Sequence, residues 1–285
     1  MPELDDYTLV RLRNGKFSIR SQAYGETTHP GVGPEAEAVA LYVQQTGLLQ
    51  RLPTHHGEFV IWDIGLGAAA NALTVLACTQ AIPTNIRLLS FDNTDAPLRF
   101  ALQQGGALSY LAEHRDVAQR LLQERRIRFG NGLRQVEWEF CLDDFPKLVG
   151  TAAAEDWPKP HLILFDPFSP LANPAMWTLP LFQRIFILLD PKRDCLLPTY
   201  SRSTMLRVTL LLAGFYVGCG APTGFKEETT LAANTPQLLH RPLEKRWLER
   251  VQRSDSAQPL TEPIYRKAPL SPELWQRLLR HPQFR

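Results

Sequence analysis

Acidic residues recur in this chain at the ends of apolar runs. Asp92 closes "IRLLSFD", Asp143 and Asp144 close "QVEWEFCLDD", Asp166 closes "HLILFD", and Asp63 sits near the end of "FVIWDIGLG". A carboxylate in such a place can accept hydrogen bonds from paired hydroxyls, hold an ammonium group or take up a proton. Beside Asp63 stand two glycines one residue apart, Gly65 and Gly67, and an alanine-rich run follows them. A chain that leaves a strand and turns at once into a helix needs backbone freedom and room for a ligand to lie against it. Glycine supplies both.

These residues need a scaffold that gathers them. The apolar runs are strand-like, and patterns of helical spacing separate them: the run from residue 33 to 52 before the first strand, the alanine run after Gly67, a long and partly basic region after Asp92, "PAMWTLPLFQRIFILLDP", and "RSTMLRVTLLLAGF", which Gly214 stops. Alternation of strand and helix predicts an α/β fold with a doubly wound, mostly parallel sheet. "YVGCGAP" and "ETTLAAN" lie close in sequence and predict an antiparallel hairpin at one edge. In such a sheet ligands collect at the carboxyl ends of the strands, where Gly65 and the strand-end acids fall. The chain divides into an N-terminal extension with a helix (1–56), a core (57–234) and a basic, Pro-rich tail with short helices (235–285).

Composition permits this. The chain has 285 residues, 44% of them hydrophobic, enough for a sizeable core. It holds no apolar run long enough to span a bilayer, and "MPELDDYTLV" lacks the apolar stretch of a signal peptide, so a cytoplasmic location with no membrane partner is expected. Cys78, Cys141, Cys195 and Cys219 are far apart with no paired spacing, which reads as buried thiols and no metal site. Net charge is only +2, but residues 241–285 carry ten Lys or Arg against five Asp or Glu. That excess, and the basic stretch "HRDVAQRLLQERRIRF" (114–129), read either as solvated helix faces or as contacts for phosphate.

Two ligand classes fit the glycines and acids. A dinucleotide sets its pyrophosphate at the helix N-terminus and favours a third small residue, which Ala70 supplies. S-adenosylmethionine has no phosphate; it wants carboxylates for its ribose hydroxyls, its adenine amine and its ammonium. Asp63, Asp92 and one of Asp143 and Asp144 meet those needs and would repel a pyrophosphate, so the pattern favours S-adenosylmethionine.

The stretch "LILFDPFSPLANPAMWTLPLFQRI" (162–185) resembles the methyltransferase part of the bifunctional tRNA-modifying enzyme MnmC, a family that also exists as stand-alone proteins. Its pattern is a strand ending in Asp, then Gly-Phe-Ala-Pro, Asn-Pro and Met-Trp ahead of a helix. Asp166, Phe168, Pro170, Asn173, Pro174, Met176 and Trp177 match, while Pro167 and Ser169 replace the Gly and Ala. "YGETTHPGVGPEAEAVAL" (24–41) resembles the entry segment, with Glu35 ahead of the helix, and "TGFKEETTLAA" (223–233) resembles the closing hairpin. The likeness spans roughly residues 24–234. The main departure is the glycine loop, where Leu66 stands for Phe, Gly67 and Asn71 remain, and Ala68, Ala69 and Ala70 replace Thr-Gly-Leu.

The resemblance implies a Rossmann-like class I methyltransferase that methylates the aminomethyl nitrogen of a wobble uridine in the tRNA anticodon loop, completing 5-methylaminomethyl-2-thiouridine. It implies S-adenosylmethionine held by Glu35, Asp63, Gly65, Gly67, Asn71, Asp92 and Asp143 or Asp144. Asp166 is expected to orient the amine and to be the candidate base. Phe168 and Asn173 are expected at the acceptor, and Lys245 and Arg246, with Arg202 and Arg207, at the tRNA backbone. The chain has no room for the flavin oxidoreductase domain of fused members, so no FAD is expected. A methyltransferase of the same fold acting on another acceptor, and a non-catalytic binding module, are the other readings.

Overall fold

The period-two pattern of the apolar runs becomes a central sheet with two apolar faces. The computed structural model describes residues 4–130, 132–224 and 227–285. Three strands come first: β1 (Tyr7–Arg11), β2 (Phe17–Ser21) and β3 (Glu26–Thr27) form a separate antiparallel sheet. β4 (Phe59–Ile64), β5 (Ile86–Asp92), β6 (Arg126–Gly130), β7 (Gln135–Leu142), β8 (Leu162–Phe165), β9 (Leu196–Thr199), β10 (Tyr216–Gly220) and β11 (Thr229–Ala233) follow. They build one sheet in the order β10-β11-β9-β8-β4-β5-β7-β6. β4 pairs in parallel with β5 and β8, and β7 and β9 extend the parallel core on either side.

The doubly wound sheet and the late hairpin are as expected, with one refinement: β11 lies antiparallel between β9 and β10, so only β10 is the edge. The N-terminal sheet and β6 were not foreseen. β6 falls inside the stretch read as a basic helix face or phosphate contact. There Ile127 and Phe129 alternate with Arg126 and Arg128, the period of a strand, and both arginines bind Glu137 on neighbouring β7. Arg125 binds Asp95 at 2.7 Å. Arg125, Arg126 and Arg128 are thus paired with acids of the same fold, Arg120 pairs with Glu124, and Arg115 donates to the Leu102 carbonyl.

On β4, Phe59 and Ile61 enter one core and Val60, Trp62 and Ile64 the other. The first face is covered by the N-terminal helical segment and by Ala70–Cys78, Ala96–Gln103 and Arg115–Glu124; the second by Leu179–Leu188 and Thr204–Ala213. The N-terminal segment is not one helix. It runs as Pro34–Ala38, a π-helical stretch Val39–Gln44 and, beyond a left-handed Gly47 at φ 61°, Leu48–Arg51. Cys195 is buried, but Cys78 is exposed at the end of its helix, against expectation. No helix among the described residues is long and apolar enough to cross a membrane.

The tail carries the short helices Trp247–Arg253 and Pro272–Leu279, and its apolar side chains join the second core: Leu243, Val251, Ala257, Leu260, Leu278 and Phe284 are all buried there. Gln283 ties it to the sheet. Its side chain accepts from the Val217 N–H at 2.8 Å and donates to the carbonyls of Val217 and Leu243 at 2.7 and 2.9 Å. Replacing Gln283 by Ala leaves those part-buried backbone groups without partners. The variant is expected to lose about 2 kcal/mol of stability in urea unfolding; an unchanged midpoint would show that the tail is not held this way.

Candidate active site

β4 lies where the sheet order reverses, with β5 on one side and β8 on the other, so a crevice opens at its carboxyl end. Gly65 occupies that crevice at φ 94°. A Cβ there would stand 3.2 Å from the Asp166 carbonyl oxygen, and only glycine lets the two strand ends approach this closely. The loop then turns through Gly67 at φ 52° and Ala69 at φ 62° before the helix Ala70–Cys78 begins. Ala69 stands where the resembled pattern has its third glycine, after Gly65 and Gly67, and keeps the left-handed conformation. That costs about 1 kcal/mol, offset in part because its fully buried methyl packs in the first core.

A cavity of about 480 Å³ opens above these ends. Its floor is the glycine loop with Asn71, Asp92, Asp144 and Asp166; its roof is the N-terminal sheet and the segment after it, with Tyr7, Tyr24, Glu26 and His29. Asp92 shapes the loop as well as lining the cavity: its carboxylate accepts from the Gly67 N–H at 2.9 Å and the Thr94 N–H at 3.2 Å. Burial raises its pKa to about 6 even against those hydrogen bonds. Asp166 accepts from Asn71 Nδ2 at 2.8 Å and faces His29 Nε2 at 3.5 Å; the other ring nitrogen of His29 lies 3.8 Å from Glu37. Phe168 stacks on Tyr24 with ring centres 4.3 Å apart. Trp177 donates to the Phe168 carbonyl at 2.8 Å and Tyr200 to the Pro167 carbonyl at 3.1 Å. Ser169 is clasped by Glu26 through both its N–H and its hydroxyl.

Of the residues expected at the cofactor, the structure brings Gly65, Gly67, Asn71, Asp92 and Asp144 to the cavity, together with Asp166, Phe168 and Asn173. Asp143 does not line it; its carboxylate accepts from the Asp144 N–H, which places Asp144 as the lining member of that pair. Asp63 lies beneath the floor, where its Oδ2 accepts from Ser90 at 2.8 Å and burial raises its pKa to about 7. Glu35 points away, bonded to Ser109 at 2.7 Å and 3.7 Å from Lys16, and Glu37 is the glutamate of that helix that lines the cavity. Two residues along a helix turn a side chain through about 200°, so one of this pair had to face outward. Lys245 and Arg246 lie on the exposed tail, Arg246 paired with Glu244 at 3.0 Å. Arg207 is no surface contact: it is 1% exposed and spends its guanidinium on Glu228, Thr229 and Thr230. Phe225 and Lys226, in the segment matched to the closing hairpin, lie outside the described residues.

Sequence reasoning missed Tyr7, Tyr24, Glu26, His29, Glu37 and Tyr200. Four of these stand in "YGETTHPGVGPEAEA", whose clustering of aromatic, acid and imidazole within one short stretch was the available signal.

The residues fit S-adenosylmethionine better than a dinucleotide. The Gly67 N–H, which a pyrophosphate would need, is taken by Asp92. Among the described lining residues there is no lysine and Arg20 is the single arginine. Asn71 Oδ1 is buried without a hydrogen-bond partner, an acceptor that an ammonium group would satisfy.

Residues 113–235 match a sequence family described as S-adenosyl-L-methionine-dependent methyltransferase. Over that stretch the chain is similar to S-adenosyl-L-methionine-dependent methyltransferases, and over most of its length to MnmC. It is 29% identical over 239 residues to the tRNA 5-methylaminomethyl-2-thiouridine biosynthesis bifunctional protein MnmC of Methylibium petroleiphilum, covering 79% of this chain and 34% of that protein. To the same-named protein of Burkholderia mallei it is 25% identical over 224 residues, covering 73% and 32%. The chain thus spans about a third of the length of these relatives. In fold it is similar to MnmC2 of Aquifex aeolicus, with a TM-score of 0.69, 23% identity and coverage of 96% of this chain and 84% of that one. Spermidine synthase of Thermotoga maritima shares the fold more distantly, at a TM-score of 0.51 and 12% identity, with 96% and 83% covered.

The raised pKa of Asp92 gives binding at this cavity a pH signature. The ionised form is the better acceptor for ribose hydroxyls, so binding releases protons as pH falls through about 6. Affinity for S-adenosylmethionine by calorimetry is expected to drop about tenfold between pH 7.5 and pH 5; a flat profile would place Asp92 outside the contact. Gly65→Ala, strained and crowded against Asp166, is expected to abolish the binding heat.

Proposed function

We propose that this chain is an S-adenosylmethionine-dependent methyltransferase that acts in the cytoplasm on tRNA and methylates the aminomethyl nitrogen of the modified wobble uridine in the anticodon loop. The observation that carries this reading is Asp166: a carboxylate fixed by Asn71 at the cavity floor, beside the aromatic face of Phe168. An amine needs a carboxylate to hold it, and a flipped pyrimidine needs a ring to stack on. The relatives' name supports the same acceptor.

When bound, S-adenosylmethionine supplies a methyl group already activated on a sulfonium, so the protein's work is alignment, exclusion of water and management of one proton. Asp92 accepts the ribose hydroxyls, and Asp144 serves the adenine side. Gly65 and Gly67 let the backbone come close, and Asn71 offers its free carbonyl oxygen to the ammonium. Asp63, beneath the floor, adds to the negative field that favours a cation. Asp166 holds the acceptor amine, which attacks only once it is neutral. Phe168 and Asn173 flank the base; the Tyr24 ring now on Phe168 marks the place a base would take. Exposed Lys245 and Arg246 on the tail contact the phosphate backbone, with Arg202 as a further candidate.

Labelled methyl from S-adenosylmethionine is expected to enter tRNA carrying 5-aminomethyl-2-thiouridine and not tRNA lacking that amine; transfer to both would favour another acceptor, and no binding of the methyl donor would favour a non-catalytic role. Asp166→Asn is expected to lower kcat about 100-fold or more with little change in donor affinity. Reversing Lys245 and Arg246 to Glu is expected to weaken tRNA binding and to flatten its dependence on salt by about one unit of slope per lost phosphate contact. Equal affinity would remove the tail from the interface.

A further inference from the structure

We infer that His29 is the proton-accepting residue of the reaction and that Glu37 holds it for that task; the inference rests on the amine acceptor proposed above. A primary ammonium must lose one proton before it can attack. The imidazole of His29 stands between two carboxylates, with Nε2 3.5 Å from Asp166 Oδ2 and Nδ1 3.8 Å from Glu37 Oε1. All three residues line the cavity, and the His29 and Glu37 side chains are each only 9% exposed. This is the order of a relay: a carboxylate at the amine, an imidazole behind it, and a second carboxylate that steadies the imidazolium. The three residues also offer ligand atoms within 4.8 Å of one another, so a metal ion is the competing occupant that the zinc arm of the test below separates from the relay.

The backbone supports a functional reading. His29 adopts φ 46°, a conformation that costs a side-chain-bearing residue energy and that Asn, Asp and His adopt more readily than others. It stands two residues past β3 and immediately before Pro30, whose ring restricts the backbone beside it. Titratable groups near this cluster include Glu26 on β3, held by Ser169, Tyr42 from the π-helical stretch and Tyr200 after β9. Burial first, and Asp166 next, hold both phenols well above their ordinary value, so they stay neutral through the working range. Asp63, beneath the floor, adds only negative charge.

The step balances without any further reagent. One proton leaves the ammonium nitrogen, through Asp166, for His29 Nε2. The nitrogen lone pair forms the new N–C bond while the C–S bond breaks with its electron pair remaining on sulfur. The product is a secondary ammonium and a neutral thioether, and the imidazolium, paired with Glu37, returns its proton to water.

The test compares the full-length protein with His29→Asn, which suits the left-handed backbone, and with Glu37→Gln. On tRNA carrying 5-aminomethyl-2-thiouridine, His29→Asn is expected to lower kcat about 100-fold at neutral pH, with KM for tRNA and affinity for S-adenosylmethionine changed less than about threefold. Its rate should then climb about tenfold per pH unit until the amine is itself neutral, whereas the wild-type rate levels off earlier. Glu37→Gln should show a smaller loss of the same form. An unchanged pH profile in His29→Asn overturns the inference while leaving the tRNA reading intact. Independently, methylammonium added to the protein saturated with S-adenosylhomocysteine should shift the His29 ring resonances, identified by their loss in His29→Asn. A shift without methylation of the tRNA would mean that the amine site stands and the acceptor reading fails. Tight binding of zinc at His29 with no response to methylammonium would overturn the relay in favour of a metal site.

Discussion

Negative charge gathered at one sheet margin is the constraint around which this molecule is organised. Asp63, Asp92 and Asp166 come from three adjacent parallel strands, and the register of those strands brings them together. Burial opposes ionisation of the first two strongly enough to lift both toward neutrality. Part of that cost is offset locally, by Ser90 beneath Asp63 and by backbone N–H groups around Asp92. What remains is a site with an excess of acceptors, complementary to a cationic ligand and unsuited to a phosphate. The glycine loop follows from the same constraint: Asp92 holds the Gly67 N–H in place, and Gly65 has no side chain to keep β4 from Asp166.

The sheet was legible because its strands are buried on both faces and therefore read as continuous apolar runs with acids at their ends. β5 spans the residues its pattern marks out, and the late hairpin is where two short strands sit close in sequence. The edges were less legible. β6 alternates arginine with apolar residues, and charge drew attention away from its period. β1 to β3 are short and partly exposed, so they carry little apolar signal, although they supply the roof of the site.

At the site itself, legibility followed backbone chemistry. Positions where the chain must adopt a left-handed turn or end a strand announce themselves by residue type, and Gly65, Gly67, Asp92 and Asp166 were found that way. Side-chain direction does not announce itself. Glu35 and Glu37 differ by half a helical turn, Asp143 and Asp144 by one residue at a strand end, and in each pair only the fold decides which one meets the cavity. Arg207 makes the same point for charge: its composition suggested a surface, while its place on Thr204–Ala213 buries it against β11.

The position of β11 bears on how the molecule is made. It is the last strand in the chain, yet it fills an interior slot between β9 and β10. A nascent polypeptide emerging in order must therefore leave the flank of β9 open through the whole of Thr204–Ala213 and β10. The slot can be filled only by backbone from Thr229 onward. Until then the β9 flank offers unpaired amides to any passing strand. Arg207 on Thr204–Ala213 makes ionic and hydrogen-bonding contacts with Glu228, Thr229 and Thr230, and these contacts mark the register in which β11 fills the gap.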